Sequence, residues 1–173
     1  MKKIINNILH RLKEDSLARQ LEGVERNAEY KGFKDIRRCL VFWTSSPNER
    51  KWIKSVRDHF AEAKIEKLCF VPNGIEVSET DDVVFMRNED LGFGGKIQNE
   101  RLLGVLRKKY DLLIDLTGET SVLGNYVLAH TQAACTAGMK KEGGIADLIV
   151  DGVSTPLEFI DKLTELLSKI NRY

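Results

Sequence analysis

The sequence predicts a three-layer αβα, Rossmann-like domain with a mostly parallel sheet of about six strands, preceded by a helical arm. Three observations predict it. From residue 39 onward, short apolar runs alternate with helical patterns, the order of a chain built from βαβ units. The runs are continuous rather than alternating, residues 39–43 and 111–116 above all. Their strands are therefore buried on both faces, as in a parallel sheet covered by helices. The chain has 173 residues, 42% hydrophobic and 31% charged, which suits one folded domain with no need of disulfide or metal staples. In the common strand order 3-2-1-4-5-6, the first and fourth strands are neighbours at the switch point, where ligands of such sheets bind.

Residues 1–36 form the arm and 37–173 the body. Residues 2–30 read as helix, because Ile4, Ile5, Ile8, Leu9, Leu12, Leu17 and Leu21 recur near a 3.6 period with Lys and Arg opposite. Residues 39–43 make the first strand. Ser46, Pro47, Asn48 and Glu49 then spell a capping box with proline at the first helical position. The helix it opens runs to about residue 63. Residues 68–71 form the second strand, stopped by Pro72, Asn73 and Gly74, and residues 82–86 the third. The link between them is short and polar without a helical period, so it is a turn or a loop crossover. A glycine-rich stretch, Gly92, Phe93, Gly94 and Gly95, precedes a helix over about 98–109. Residues 111–116 are the fourth strand. A helix over 122–134 is rich in small and apolar side chains, and residues 135–139 and 146–150 are the fifth and sixth strands. Thr155, Pro156 and Glu158 repeat the capping pattern before a final amphipathic helix.

Charge and cysteine usage narrow the function. Lys plus Arg total 27 and Asp plus Glu 26, a net charge of +1, which removes the electrostatic case for a nucleic-acid binder. The balance is uneven: residues 1–38 carry ten basic and six acidic side chains. The basic arm packs on the body, pairs with a second copy as a homodimer, or makes membrane contact through residues 1–30 on an anionic surface; of these, membrane contact is the less favoured. Three cysteines, Cys39, Cys69 and Cys135, form no CxxC and two lie in strand-like runs. Buried thiols in a reducing cytoplasmic setting are expected.

Three strand-to-helix turns, at residues 44–46, 115–121 and 151–155, are rich in hydroxyls and stand where an anion would meet helix amides. The candidate ligand-binding residues are Thr44 and Ser45 after the first strand, Asp115 at the end of the fourth, and Thr117, Gly118, Glu119 and Thr120 beyond it. The competing reading is that such hydroxyls only cap helices. The glycine stretch fits neither dinucleotide nor P-loop spacing, since position 97 is Ile97 and position 90 is Asp90; it reads as a tight turn or loop. No metal spacing and no catalytic motif occurs, so no cofactor, metal or catalytic residue is expected. His130 is expected as a hydrogen-bonded core histidine.

The segment from Tyr110 through Asp111, Asp115 and Thr117 to Gly118, with the small-residue helix and the strand at Thr136, Ala137 and Gly138, resembles the amino-terminal half of heptosyltransferase-type GT-B glycosyltransferases. The basic helical arm, the fourth-strand segment and the final amphipathic helix resemble a family of short Bacteroidetes proteins of unknown function. The first resemblance implies an acceptor-side half-domain, and a complete transferase would need a second Rossmann domain for its donor. The second implies no activity. These readings predict a non-catalytic cytoplasmic domain that binds a protein partner or a small anionic ligand. The alternatives are an enzyme or enzyme subunit acting on a sugar or nucleotide, and a peripheral membrane protein held by the arm.

Overall fold

The computed structural model describes residues 1–170; the last three residues of the expected body lie outside this range. Its sheet has six strands in the order β3-β2-β1-β4-β5-β6: β1 (Arg38–Thr44), β2 (Lys64–Phe70), β3 (Val84–Met86), β4 (Lys109–Asp115), β5 (Gln132–Met139) and β6 (Leu148–Val150). Every neighbouring pair is parallel. This is the 3-2-1-4-5-6 order, with β1 and β4 side by side at its centre.

The helices are α1 (Lys2–Leu21), α2 (Glu49–His59), α3 (Glu100–Arg107), α4 (Val122–His130) and α5 (Pro156–Leu167). Side-chain alternation along the strands divides the core in two. Cys39, Val41 and Trp43 of β1 face one cluster, with Val56 of α2 and Phe159, Ile160 and Leu163 of α5. Leu40 and Phe42 face the other, with Leu17 of α1, Leu102 and Leu106 of α3, and Tyr126 and Val127 of α4. Helices on both faces of a parallel sheet give the three layers.

Several boundaries differ from the sequence reading, each for a local reason. α1 ends at Leu21 rather than near residue 30: Glu22 is extended and Gly23 has φ of 88°, the left-handed geometry that closes a helix. The chain then runs extended across the amino ends of β4 and β5. Arg26 donates to the carbonyl oxygens of Thr131 and Ala133 and pairs with Asp147, and the Glu29 amide donates to the Ala134 carbonyl. The three carbonyl acceptors, Thr131, Ala133 and Ala134, fall on residues expected in the helix over 122–134. Thr131 is already extended, and Gln132 and Ala133 pair with Lys109 and Tyr110 of β4. Small residues fit either state, and pairing with β4 decides.

The capping box before α2 forms in part. The Glu49 carboxylate accepts from the Ser46 amide at 3.2 Å and from Trp43 Nε1 at 2.8 Å. The Ser46 hydroxyl, however, accepts from the Asn48 amide, and Pro47 precedes the helix. The box before α5 has its Thr155 cap, Oγ1 accepting from the Glu158 amide, with Pro156 at the first position.

No helix follows β2. Residues 71–83 cross to β3 as loop and turn, so the α2 face of the sheet lacks a helix over β2 and β3. At the other face, α1 is held by the glycine turn. Gly94 donates its amide to Ser16 Oγ at 3.2 Å and accepts from Gln20, Lys13 donates to the Asn88 carbonyl, and Tyr126 Oη donates to the Gly95 carbonyl at 3.0 Å.

Candidate functional site

The carboxyl ends of β1 and β4 hold the residues singled out from the sequence. Asp115 is 1% exposed, with Phe42 of β1 and Gly138 of β5 as its register partners. Its Oδ1 accepts from the Thr117 amide at 2.9 Å and the Thr117 hydroxyl at 2.5 Å, and its Oδ2 pairs with Lys141 Nζ at 2.8 Å. Lys141 also donates to the Thr117 hydroxyl at 2.6 Å and carbonyl at 3.2 Å. All three ammonium protons are thereby used. Lys141, in the loop after β5, was not among the candidates; a lysine in a polar loop looks like any solvated side chain until the fold brings it over β4.

The remaining candidates divide. Thr120 donates to the Glu142 carbonyl at 2.6 Å, and Asn125 to the Gly143 carbonyl at 3.1 Å, so the turn after β4 is fastened to the loop after β5. Ser121 caps α4 through the Gly124 amide. Gly118 and Glu119 are exposed. Thr44 and Ser45 are half-buried, and the Ser45 amide extends the β1–β2 ladder to the Phe70 carbonyl. The fold thus gathers Asp115 and Thr117 with Lys141 into a closed ionic cluster. Its hydrogen-bonding groups are directed at one another, which is the arrangement of a structural lock.

One cluster has the composition of a nucleophilic triad. Ser55 Oγ lies 3.4 Å from His59 Nδ1, and His59 Nε2 lies 2.9 Å from Asp161. The geometry denies it that role: Nδ1 is 2.8 Å from the Ser55 carbonyl oxygen. An acceptor at that distance requires a proton on Nδ1, which then has no lone pair to take one from Ser55. His130 departs from expectation, since its buried Nε2 has no hydrogen-bond partner among the described residues and its ring lies 4.1 Å from that of Tyr126, tilted by 34°. Burial lowers its pKa from the ordinary histidine value. The three thiols are buried and free, and burial raises each to about 12, so they are inert as nucleophiles near neutrality. Among the described residues no group of three metal-ligating side chains gathers.

A different surface has the form of a binding site. The missing crossover helix leaves a groove of about 550 Å³ between α2 and residues 77–83, floored by Trp43 and Phe85. Arg50, Lys54 and Arg57 of α2 line it, together with Lys67 of β2. At about 100° per residue, the three α2 cations share an arc of about 60°. Lys54 is matched by Asp58 at 2.6 Å and Lys67 by Asp82 at 2.7 Å. The Lys67 ammonium and then the Thr80 hydroxyl hold the Asp82 carboxyl down to about 2. Arg50 and Arg57 make no hydrogen bond or ion pair among the described residues. Ser78 and Thr80 line the other side, and the Glu49 and Asp82 carboxylates also border the groove, Glu49 accepting from Trp43 and Ser46 and Asp82 paired with Lys67. Two guanidinium groups beside a partly apolar floor can hold a phosphate or carboxylate group. Sequence reasoning passed over this surface because charges on the outer arc of an amphipathic helix normally meet only water.

No curated protein and no solved structure matches the chain. Residues 10–170 match a family of unknown function, DUF6913. That span runs from within α1 through α5 and covers both the arm's docked half and the whole sheet, so the chain belongs to the DUF6913 family.

Proposed function

We propose that this protein is a non-catalytic binding domain for a small anionic ligand, held in the groove beside α2 rather than at the switch point. The observation that carries the reading is the pair Arg50 and Arg57. Two guanidinium groups two helical turns apart line one groove and make no hydrogen bond or ion pair among the described residues. The ligand class is a molecule bearing a phosphate or carboxylate, with a body that lies on Trp43 and Phe85. The enzymatic alternative, a sugar or nucleotide processed between β1 and β4, asks for free side chains there. Asp115, Thr117 and Thr120 are instead bonded to the protein itself. The free, buried thiols fit a cytoplasmic setting.

A thermal-shift panel of nucleotides, sugar phosphates and small carboxylic acids tests the reading. A ligand at about 100 times its Kd adds about 2.7 kcal/mol of stability. The Arg50→Ala/Arg57→Ala double variant is expected to keep the unliganded melting temperature and lose the ligand-induced shift. A flat response of the parent protein across the panel, or an unchanged shift in the double variant, contradicts the proposal.

A further inference from the structure

The first three turns of α1 cover nothing. Residues 1–12 are exposed throughout, and Ile4, Ile5, Ile8, Leu9 and Leu12 are 65%, 52%, 53%, 47% and 52% exposed. At about 100° per residue these five share an arc of about 140°. The rest of that segment (Lys2, Lys3, Asn6, Asn7, His10 and Arg11) occupies the opposite side. Farther along, the same arc carries Asp15, Ser16 and Arg19, so the apolar stripe ends where the helix meets the body. The docking contacts, at Lys13, Ser16, Leu17 and Gln20, centre about 100° around the helix from the stripe and meet its arc only at Ser16. The stripe is therefore not the face that the body buries.

Charge selects what covers it. Residues 1–13 contain Lys2, Lys3, Arg11 and Lys13 and no acidic side chain. Lys13 bonds to the Asn88 carbonyl, while Lys2, Lys3 and Arg11 make no hydrogen bond or ion pair among the described residues. A second copy of this helix would bring like charges together over the same stripe. An anionic lipid surface offers both requirements at once: acyl chains for the Ile and Leu side chains, and headgroups for the cations beside them. A helix this short is marginal alone in water, but its last two turns are clamped to the glycine turn, so the free turns extend a helix already formed. No helix among the described residues is long and apolar enough to cross a membrane.

We infer that the projecting half of α1 is a docking helix for anionic membrane surfaces, independent of the ligand groove. The test is sedimentation of the full chain with vesicles of phosphatidylcholine alone or with about one third phosphatidylserine. Binding is expected only to the anionic vesicles and is expected to weaken at high salt. At a factor of about five for each cation near an anionic surface, Lys2→Gln/Lys3→Gln/Arg11→Gln lowers partitioning about a hundredfold. Ile8→Asn/Leu12→Asn abolishes it. Both variants alter only exposed side chains, and circular dichroism checks that they fold as the parent does. Equal binding to neutral and anionic vesicles, no binding to either, or full binding by the Ile8/Leu12 variant overturns the inference. So does light scattering that shows a dimer dispersed by Ile8→Asn/Leu12→Asn without any vesicle binding, which would assign the stripe to a second copy.

Discussion

Asp115 and Lys141 set the strongest single constraint at the scale of residues. A carboxylate 1% exposed is tolerable only because Lys141 and both donors of Thr117 reach it. Removing one partner of a buried pair leaves the other charge without compensation, typically at a cost of about 3–5 kcal/mol. Lys141→Met is expected to lose stability of that order in urea denaturation, and Asp115→Asn in the same chain is expected to restore part of it. A loss below about 1 kcal/mol would show that the cluster is not the lock described here. Asp111, at the other end of β4, gives a pH dependence. Burial pushes its carboxyl up, but the Lys31 ammonium and the amides of Arg37 and Arg38 outweigh this and hold its pKa below the ordinary value. A depressed carboxyl stabilises the fold above the unfolded value of about 3.9. That contribution is lost as pH falls through the folded value. Asp111→Asn should flatten the acid limb of a stability profile below about pH 4, and an unchanged limb would contradict the assignment.

Elements depend on two kinds of signal, and only one is visible locally. Strand positions were legible because β1 and β4 contain unbroken apolar runs, at residues 39–43 and 112–114, and the capped start of α5 because Thr155 and Pro156 stand directly before its apolar face. The end of α1, the start of β5 and the parallel direction of β3 were not. Each depends on partners distant in sequence, such as Arg26 reaching Thr131 and Ala133. The glycine turn shows the same limit. Spacing excluded a nucleotide loop, but only the fold shows that the turn clamps α1. Gly95 has φ of 76°, and a Cβ there would lie 2.6 Å from both Tyr126 Oη and Gln20 Oε1. Gly95→Ala is expected to cost about 1–3 kcal/mol and to speed hydrogen exchange in α1. Gly104 in α3 has ordinary helical geometry and open space around it, so Gly104→Ala is expected to stabilise by about 0.4–1 kcal/mol. Equal effects at the two glycines would refute the clamp.

At the scale of the whole molecule, the candidate site was the least legible feature. The rule that ligands bind beyond the strand ends directed attention to Thr44, Ser45 and residues 117–120. The sequence contains the acceptors that occupy Thr117 and Thr120, but the topology that brings Lys141 and Glu142 beside them is not written in any local pattern. The groove arises from an absence, the helix missing between β2 and β3, and its cations resemble an ordinary solvated helix face. Amide chemical-shift mapping of the full chain, titrated with the anion giving the largest thermal shift, tests the central claim most directly. The account predicts saturable shifts at Arg50, Lys54 and Arg57 of α2 and at Ser78 and Thr80 opposite them. Shifts confined to Thr44, Ser45 and residues 117–120 would return the site to the switch point and contradict it.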